Sequence, residues 1–181
     1  MHTRSLFSGM FLLVAVLTEA AIALSHSRES SLTVLAHGPA GLRIEGKSAD
    51  VLVEEDASAL TFKVPIAPID TGIGLRDRHL REMLEAEKFP DAILRIPLSE
   101  LTFPKERQPA EGTAKGDLTL RGQSRPVEVH YRAELAGGGI TKVQGAMQLD
   151  MRDFEIKSPS YLGVTVAPLV EVKVELAMDG T

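Results

Sequence analysis

Apolar and polar residues alternate with a period of two through most of this 181-residue chain. In residues 170–176 the even positions hold only Val and Leu, whereas the odd positions hold only Glu and Lys. This pattern is typical of a β-strand with one face in the core and the other in solvent. Comparable runs occupy residues 32–36, 42–46, 51–53, 60–66, 92–96, 118–120, 127–133 and 143–151. The sequence therefore predicts about eight or nine antiparallel strands.

One short helix interrupts the strand pattern. Between two strand-like runs, residues 69–97 contain a glycine turn, a charged stretch and a Phe-Pro break. We predict a helix from Arg76 to Glu87, because Leu80, Met83 and Leu84 share one face at helical spacing. A single helix cannot cover the dry face of so many strands, so the sheet must close on itself or cover a second sheet. Closure also removes exposed strand edges, and we therefore expect an all-β, antiparallel, closed β-barrel of about eight strands with one short helix at its rim.

The composition excludes several classes of function. The formal net charge is −5 and no basic stripe is present, so nucleic acid is not an expected partner. The chain has no cysteine, which removes disulfides, thiolate metal sites, cysteine nucleophiles and the cysteine to which a lipoprotein attaches its lipid. Aromatic residues make up only 4% of the chain. The core must therefore consist mainly of aliphatic side chains and Met.

The N-terminal residues have the pattern of a secretory signal. Arg4 gives a positive start, residues 6–17 are mostly apolar, and Ala21-Ile22-Ala23 offers a cleavage site between small residues. The apolar run is too short to span a bilayer comfortably. We predict a signal peptide at residues 1–23, a loose polar lead-in at 24–31 and a single domain at 32–181. No stable membrane span is expected after cleavage, and a periplasmic or secreted location follows; an uncleaved membrane anchor is the alternative.

Several segments in order resemble one protein family. They are DTGIGLRDRHL at residues 70–80, Phe89-Pro90 with the strand after it, and GDLTLRGQSRPV at residues 116–127, with a weaker match at residues 151–154. Together they resemble the YceI-like proteins, which are lipid-binding β-barrels of the bacterial cell envelope. The resemblance implies an extended, lipocalin-like barrel that holds a long isoprenoid chain inside it. It covers about residues 33–176.

A barrel of this size is either packed solid or holds a ligand in its interior. Gly145 and the flexible side chains of Met147 and Met151 favour interior space, and the family resemblance favours it further. The inward faces of the strands would then form the wall around an apolar ligand. The predicted ligand-binding residues are Phe62, Val64, Leu118, Leu120, Val129, Tyr131, Met147, Leu149, Val172 and Val174.

Residues 76–79 are the densest cluster of chemically capable side chains. An Asp near a His could act in acid–base catalysis, but no nucleophile motif accompanies Asp77 and His79. A second His at metal-ligand spacing is also missing from the sequence. We therefore predict no catalytic residue and no metal site, and expect Asp77 to pair with Arg81 or another nearby arginine. Arg76, Arg78 and His79 are candidates for contact with a lipid head group, because a guanidinium suits phosphate.

These observations predict non-catalytic binding or carriage of an apolar, isoprenoid-like lipid inside an envelope β-barrel. No cofactor is expected apart from such a lipid. Two alternatives stay open: an envelope enzyme that uses His79 and Asp77 on a lipid, and a structural or stress-protective barrel with a packed core. The sequence does not decide whether the protein forms a homo-oligomer.

We expect residues 1–23 to be removed on export, because a small-x-small site follows an apolar run of signal length. The intact mass of the exported protein measures this. A full-length mass recovered from the membrane fraction would instead identify the segment as an anchor.

Overall fold

The computed structural model describes residues 24–26, 29–136, 140–161 and 164–179. The predicted signal peptide and the glycine run at 137–139 lie outside the described residues. The strands are β1 Leu24–His26, β2 Glu29–His37, β3 Arg43–Ser48, β4 Leu52–Glu55, β5 Ala59–Pro65, β6 Asp91–Pro97, β7 Ala110–Leu120, β8 Gln123–Ala136, β9 Ile140–Asp150, β10 Ser160–Tyr161, β11 Val164–Thr165 and β12 Leu169–Asp179. The helix α1 is Gly74–Met83, and single 3-10 turns lie at Pro39–Gly41, Leu98–Glu100 and Met151–Phe154. No helix within the described residues is both long and apolar enough to cross a membrane.

Ten strands form one antiparallel sheet, and this sheet curls round until its two ends meet. The order is β1-β4-β5-β6-β7-β8-β9-β12-β2-β3. Strands β1 and β2 follow each other along one position in the barrel wall, and β3 and β4 follow each other along the next position. Strand β1 pairs with β4, and β2 pairs with β3. Because β4 also pairs with β5, and β2 with β12, the paired strands occupy eight positions and form a closed ring. The predicted all-β barrel with one helix is thus confirmed.

The period of two correctly assigned the faces of the strands. Tyr131, Gly145, Val174 and Leu32 are direct neighbours across β8, β9, β12 and β2. Leu32 is buried, whereas Glu175, one position along from Val174, is exposed. Successive side chains of a strand point to opposite faces, so one register places the whole apolar set inside the barrel.

Strand β7 begins at Ala110, eight residues before the run at 118–120 from which the sequence predicted a strand. It pairs with β8 from Ala110 opposite Ala133 to Leu120 opposite Gln123. Every inward position in its first half is small: Ala110, Gly112, Ala114 and Gly116. Small side chains give no apolar alternation, so the strand is invisible to a search for large hydrophobic residues. Close approach of β6 explains the glycine at 116, where a Cβ would lie 2.7 Å from the backbone oxygen of Arg95.

Within the predicted lead-in, residues 24–26 and 29–31 are likewise strands of the barrel wall. Leu24–His26 pairs with β4, and Glu29–Ser31 pairs with β12. The Ser30 hydroxyl accepts a hydrogen bond from the backbone N–H of Val51 at 3.4 Å, where β3 passes into β4. Backbone pairing orders this segment although its side chains are polar, which is why composition alone suggested a loose lead-in.

The helix begins two residues before the predicted Arg76 and ends at Met83 rather than Glu87. Its end is set by Glu85, which has φ +51° in the left-handed region. The Glu85 carboxylate accepts a hydrogen bond from Nε of Arg121 at 2.7 Å, and this contact holds the chain in its turn. Sequence spacing does not reveal a partner that lies so far along the chain.

The second half of α1 covers most of one end of the barrel, here called the helix end. Leu84, with the half-buried Leu80 and Met83, packs in a cluster that contains Ile66 and Phe154. Ile66 and Phe154 are the largest fully buried side chains among the described residues. The opposite end of the barrel, here called the far end, is where β5 starts and β6 stops.

The first half of α1 is fixed by a corner at residues 70–72. Asp70 exchanges two backbone hydrogen bonds with Lys47 of β3, at 2.8 and 2.9 Å. Asp77 Oδ1 accepts hydrogen bonds from the backbone N–H of Thr71 at 2.9 Å and from its hydroxyl at 2.6 Å. These bonds hold the pKa of Asp77 below its usual range, with a smaller contribution from the charge of Arg81. The predicted pairing of Asp77 with Arg81 is therefore a weak Coulombic contact, and Thr71 is the direct partner.

Gly116→Ala should lower the free energy of unfolding by about 1–3 kcal/mol, because a methyl group there overpacks the wall. A Cβ at Gly116 would lie 2.7 Å from the backbone oxygen of Arg95. Gly112→Ala is the matched control on the same strand, since its Cβ would only contact Tyr131 at 3.4 Å. Denaturant unfolding measures both variants. Equal losses would contradict the close approach of β6 to β7.

Asp77→Ala should lower the melting temperature by a few degrees, because α1 loses its tie to Thr71. A carboxyl whose pKa is depressed on folding adds stability that is present above the unfolded pKa of about 3.9. That stability is lost as pH falls through the lower folded pKa, so the gap between wild type and variant should narrow in acid. His79→Ala is the control on the exposed side of α1. An equal effect of His79→Ala, or a gap independent of pH, would contradict this role of Asp77.

Candidate functional site

A cavity of about 1270 Å³ lies inside the barrel. Its wall comes from the inward faces of β2, β3, β5 to β9 and β12, with α1 and residues 101–104 at its two ends. Aliphatic side chains dominate this wall, as expected from a sequence with few aromatic residues. The interior is therefore hollow and apolar.

The ten predicted ligand-binding residues all lie on this wall. They are Phe62, Val64, Leu118, Leu120, Val129, Tyr131, Met147, Leu149, Val172 and Val174. Their contact with a ligand stays a prediction. Phe62 and Tyr131 are the aromatic members of the set, and both are half-buried.

Sequence reasoning missed part of the wall on β2 and β3. Val34, Ala36, Ile44 and Gly46 also line the cavity. Their alternation was visible in the sequence. The runs that contain them were not assigned to the ligand site, because some of their inward positions hold small residues. Pairing of β2 with β12 places Val34 opposite the predicted Val172, and pairing of β3 with β2 places Gly46 opposite Val34.

The charged side chains and the histidine of the wall lie at the helix end. They are Arg76, His79 and Glu82 of α1, and Lys157 after the last 3-10 turn. Arg76 and His79 thus stand where a head-group contact was predicted. Lys157 was not predicted, because it is far along the chain and only the fold brings it to this end. The deeper part of the wall holds none of these groups.

Arg78 lies outside the cavity wall. Its Nε is 3.7 Å from Oε1 of Glu82, one helical turn along an exposed face of α1. Residues four apart on a helix are neighbours on its surface, so this contact is local to α1. The predicted head-group contact of Arg78 has no support from its position.

Asp77 and His79 are not arranged as a catalytic pair. Both hydrogen bonds that Asp77 accepts from side chain or backbone come from Thr71. The His79 side chain is exposed, and its imidazole has no hydrogen-bond partner within the described part of the chain. In that part, no three His, Asp or Glu side chains converge as a metal site requires.

The far end of the cavity has a different character. Tyr131 projects into the interior, and its hydroxyl accepts a hydrogen bond from the backbone N–H of Thr102 at 2.8 Å. Leu101, Phe103 and Pro104 line the cavity beside it. Phe103 is 54% exposed although it lines the cavity, so the cavity also reaches solvent here.

Solved structures of similar fold come from several bacteria. A polyisoprenoid binding domain from Saccharophagus degradans superposes with a TM-score of 0.72 at 13% identity, over 88% of this chain and 99% of that one. BcnA of Burkholderia cenocepacia gives 0.63 at 16% identity, over 82% and 95%. A YceI protein of Campylobacter jejuni gives 0.52 at 17% identity, over 99% and 94%. At these identities the likeness establishes the fold.

Sequence comparison gives the family. UPF0312 proteins of Vibrio cholerae are 27% identical over 110 residues, which is 56% of this chain and 54% of theirs. The chain thus matches about half the length of these curated relatives. Residues 24–178 match the sequence model of the YceI-like domain. The match covers nearly all the described residues, and the chain belongs to the YceI-like family.

Proposed function

We propose that this protein binds and carries an apolar, isoprenoid-like lipid inside its barrel. The observation that carries the proposal is the cavity of about 1270 Å³ with an aliphatic wall. Small-molecule sites typically measure about 300–1000 Å³, so this cavity suits a ligand larger than most metabolites. The volume argues against the alternative of a structural barrel with a packed core.

The chemistry of the wall selects an apolar occupant. Water needs two or more polar partners to occupy a cavity, and the middle of this wall offers few. Leaving the space empty forfeits dispersion contacts all along the wall. A long hydrocarbon chain restores those contacts without requiring a hydrogen bond. An isoprenoid fits this description, and one of the proteins of similar fold is a polyisoprenoid binding domain.

The two ends of the cavity give the ligand a direction. Arg76, His79 and Lys157 line the helix end, whereas the deep wall is aliphatic. A ligand with a polar head would place that head at the helix end, within reach of Arg76. The tail would then run past Met147 and Tyr131 toward the far end.

A carrier role is better supported than an enzymatic one. Asp77 binds Thr71 and not His79, so the pair that an envelope lipid enzyme would use is not assembled. Among the described residues that line the helix end, no hydroxyl is hydrogen-bonded to a His, Asp or Glu of the cavity wall as an activated nucleophile would be. A lipid turnover that disappears in His79→Ala, with the fold intact, would replace the carrier with the enzyme. The predicted signal at residues 1–23 supports a periplasmic or secreted location for the carrier.

A lipid should co-purify with the protein and should be identified by mass spectrometry of its organic extract. Gly145→Leu tests whether that lipid lies in the cavity, because Gly145 is on the wall. A Cβ there would lie 3.0 Å from Cγ1 of Val174, so even the first added carbon makes a close contact with Val174. Gly145→Ala is therefore the reference variant, and the difference between Leu and Ala reports on the space beyond Cβ.

In a hollow barrel, Gly145→Leu should be at least as stable as Gly145→Ala and should retain much less lipid. The extra carbons bury apolar surface, which can contribute about 1.5–3 kcal/mol for a whole Leu side chain. In a packed barrel the same carbons would cost a further ~1–3 kcal/mol. A large additional loss of stability, with no lipid in any variant, would refute the proposed function.

A further inference from the structure

Two apolar residues are exposed where the cavity opens at the helix end. Ile73 and Leu75 are 45% and 53% exposed, and both also line the cavity. They are near neighbours at the start of α1, on the part of the helix that does not pack in the buried cluster. Single exposed hydrophobic residues are common on protein surfaces, so their exposure alone carries little weight. Their position at the edge of an apolar cavity is what sets them apart.

Unpaired positive charge surrounds the same opening. Arg76 and Lys157 line the cavity there, and neither has an ion-pair partner within the described residues. Arg78 offsets the charge of Glu82 beside them. The whole chain has a net charge of −5, so this positive group is a local feature and not part of a basic surface. An anionic surface would be attracted to this opening and repelled by much of the rest of the protein.

The other exposed apolar residues lack one or both of these features. Phe103 borders the cavity at the far end, but no charged side chain lines the cavity there. Leu135 and Leu169 are exposed on the outside of the barrel and do not line the cavity. Within the described structure, only the helix end combines exposed apolar side chains with unpaired cations that themselves line the cavity.

We propose that the first half of α1 docks on an anionic lipid bilayer, with the cavity opening facing the membrane surface. The proposal rests on the proposed function, since a carried lipid must leave one membrane and enter another. Ile73 and Leu75 would enter the boundary between head groups and acyl chains, as apolar residues of interfacial helices do. Arg76 and Lys157 would meet the lipid phosphates. A lipid could then pass from bilayer to cavity without its tail crossing water.

The test is sedimentation of the purified full chain with vesicles of phosphatidylcholine, alone or mixed with phosphatidylglycerol. Binding should require phosphatidylglycerol and should weaken as salt screens the charges. Arg76→Gln should lower the vesicle affinity about fivefold, which is typical for one cation near an anionic membrane. Leu75→Ser should lower it about tenfold, because an inserted Leu is lost.

Ile73→Ser separates docking from folding. Ile73 is the N-cap of α1 and makes no side-chain cap hydrogen bond, whereas Ser is a favoured N-cap residue. The melting temperature of Ile73→Ser should therefore be unchanged or raised while its vesicle affinity falls. Leu135→Ser is the matched control, since Leu135 has the same 45% exposure on a surface away from the cavity.

The proposal is overturned if Ile73→Ser and Leu75→Ser bind vesicles as the wild type does, or if Leu135→Ser loses as much affinity. Loss of binding in Phe103→Ser alone would move the docking surface to the far end and would also overturn it. Failure of the wild type to bind either vesicle, with lipid still co-purifying, would point to a protein acceptor and leave the carrier function standing. Vesicle docking as expected, without any co-purifying lipid, would refute the carrier function alone.

Discussion

A closed circuit of backbone hydrogen bonds carries this fold, because the middle of the barrel holds a cavity instead of a packed centre. The circuit closes where β1 and β2 run beside β4 and β3. Strands β2, β4 to β9 and β12 therefore each have a partner on both sides, and their places do not depend on a central core. The largest buried cluster lies around Ile66 and Phe154 at the helix end, and two smaller clusters contain Val51 and Ile96. This division lets the barrel stay hollow without exposing strand edges.

Large alternating side chains allowed most of the fold to be predicted from the sequence. Val170, Val174 and Leu118 revealed strands and their inward faces, since a period of two has one structural meaning. The same reasoning failed at Ala110 to Gly116, where close strands require small residues, and at Leu24–His26, where backbone pairing orders a polar segment. Prediction of the candidate site succeeded and failed for similar reasons. Wall residues were predictable from their face, whereas Lys157 depended on a long-range contact that no local pattern records.

The motifs that reveal the family are corners of the structure. Asp70 Oδ1 accepts a hydrogen bond from the N–H of Gly72, which has φ +74°. Gly122 also has positive φ, and a Cβ there would lie 2.6 Å from the ring of Phe89. Each motif thus fixes a turn against another part of the chain. Such residues identify a fold well and a ligand poorly, because the ligand would meet ordinary aliphatic side chains instead.

The helix α1 performs two roles in its two halves. Its second half, with Leu84 and Met83, packs in the buried cluster and closes most of the helix end. Its first half borders the opening and is held by Asp77 on Thr71, which follows the residue paired with Lys47 of β3. The α1 edge of the opening is therefore held by a short chain of hydrogen bonds between α1 and β3, in addition to the strand circuit. Loss of the bonds between Asp77 and Thr71 would destabilise this corner and loosen the α1 edge of the opening, whereas the strand pairings of the wall would keep their own hydrogen bonds.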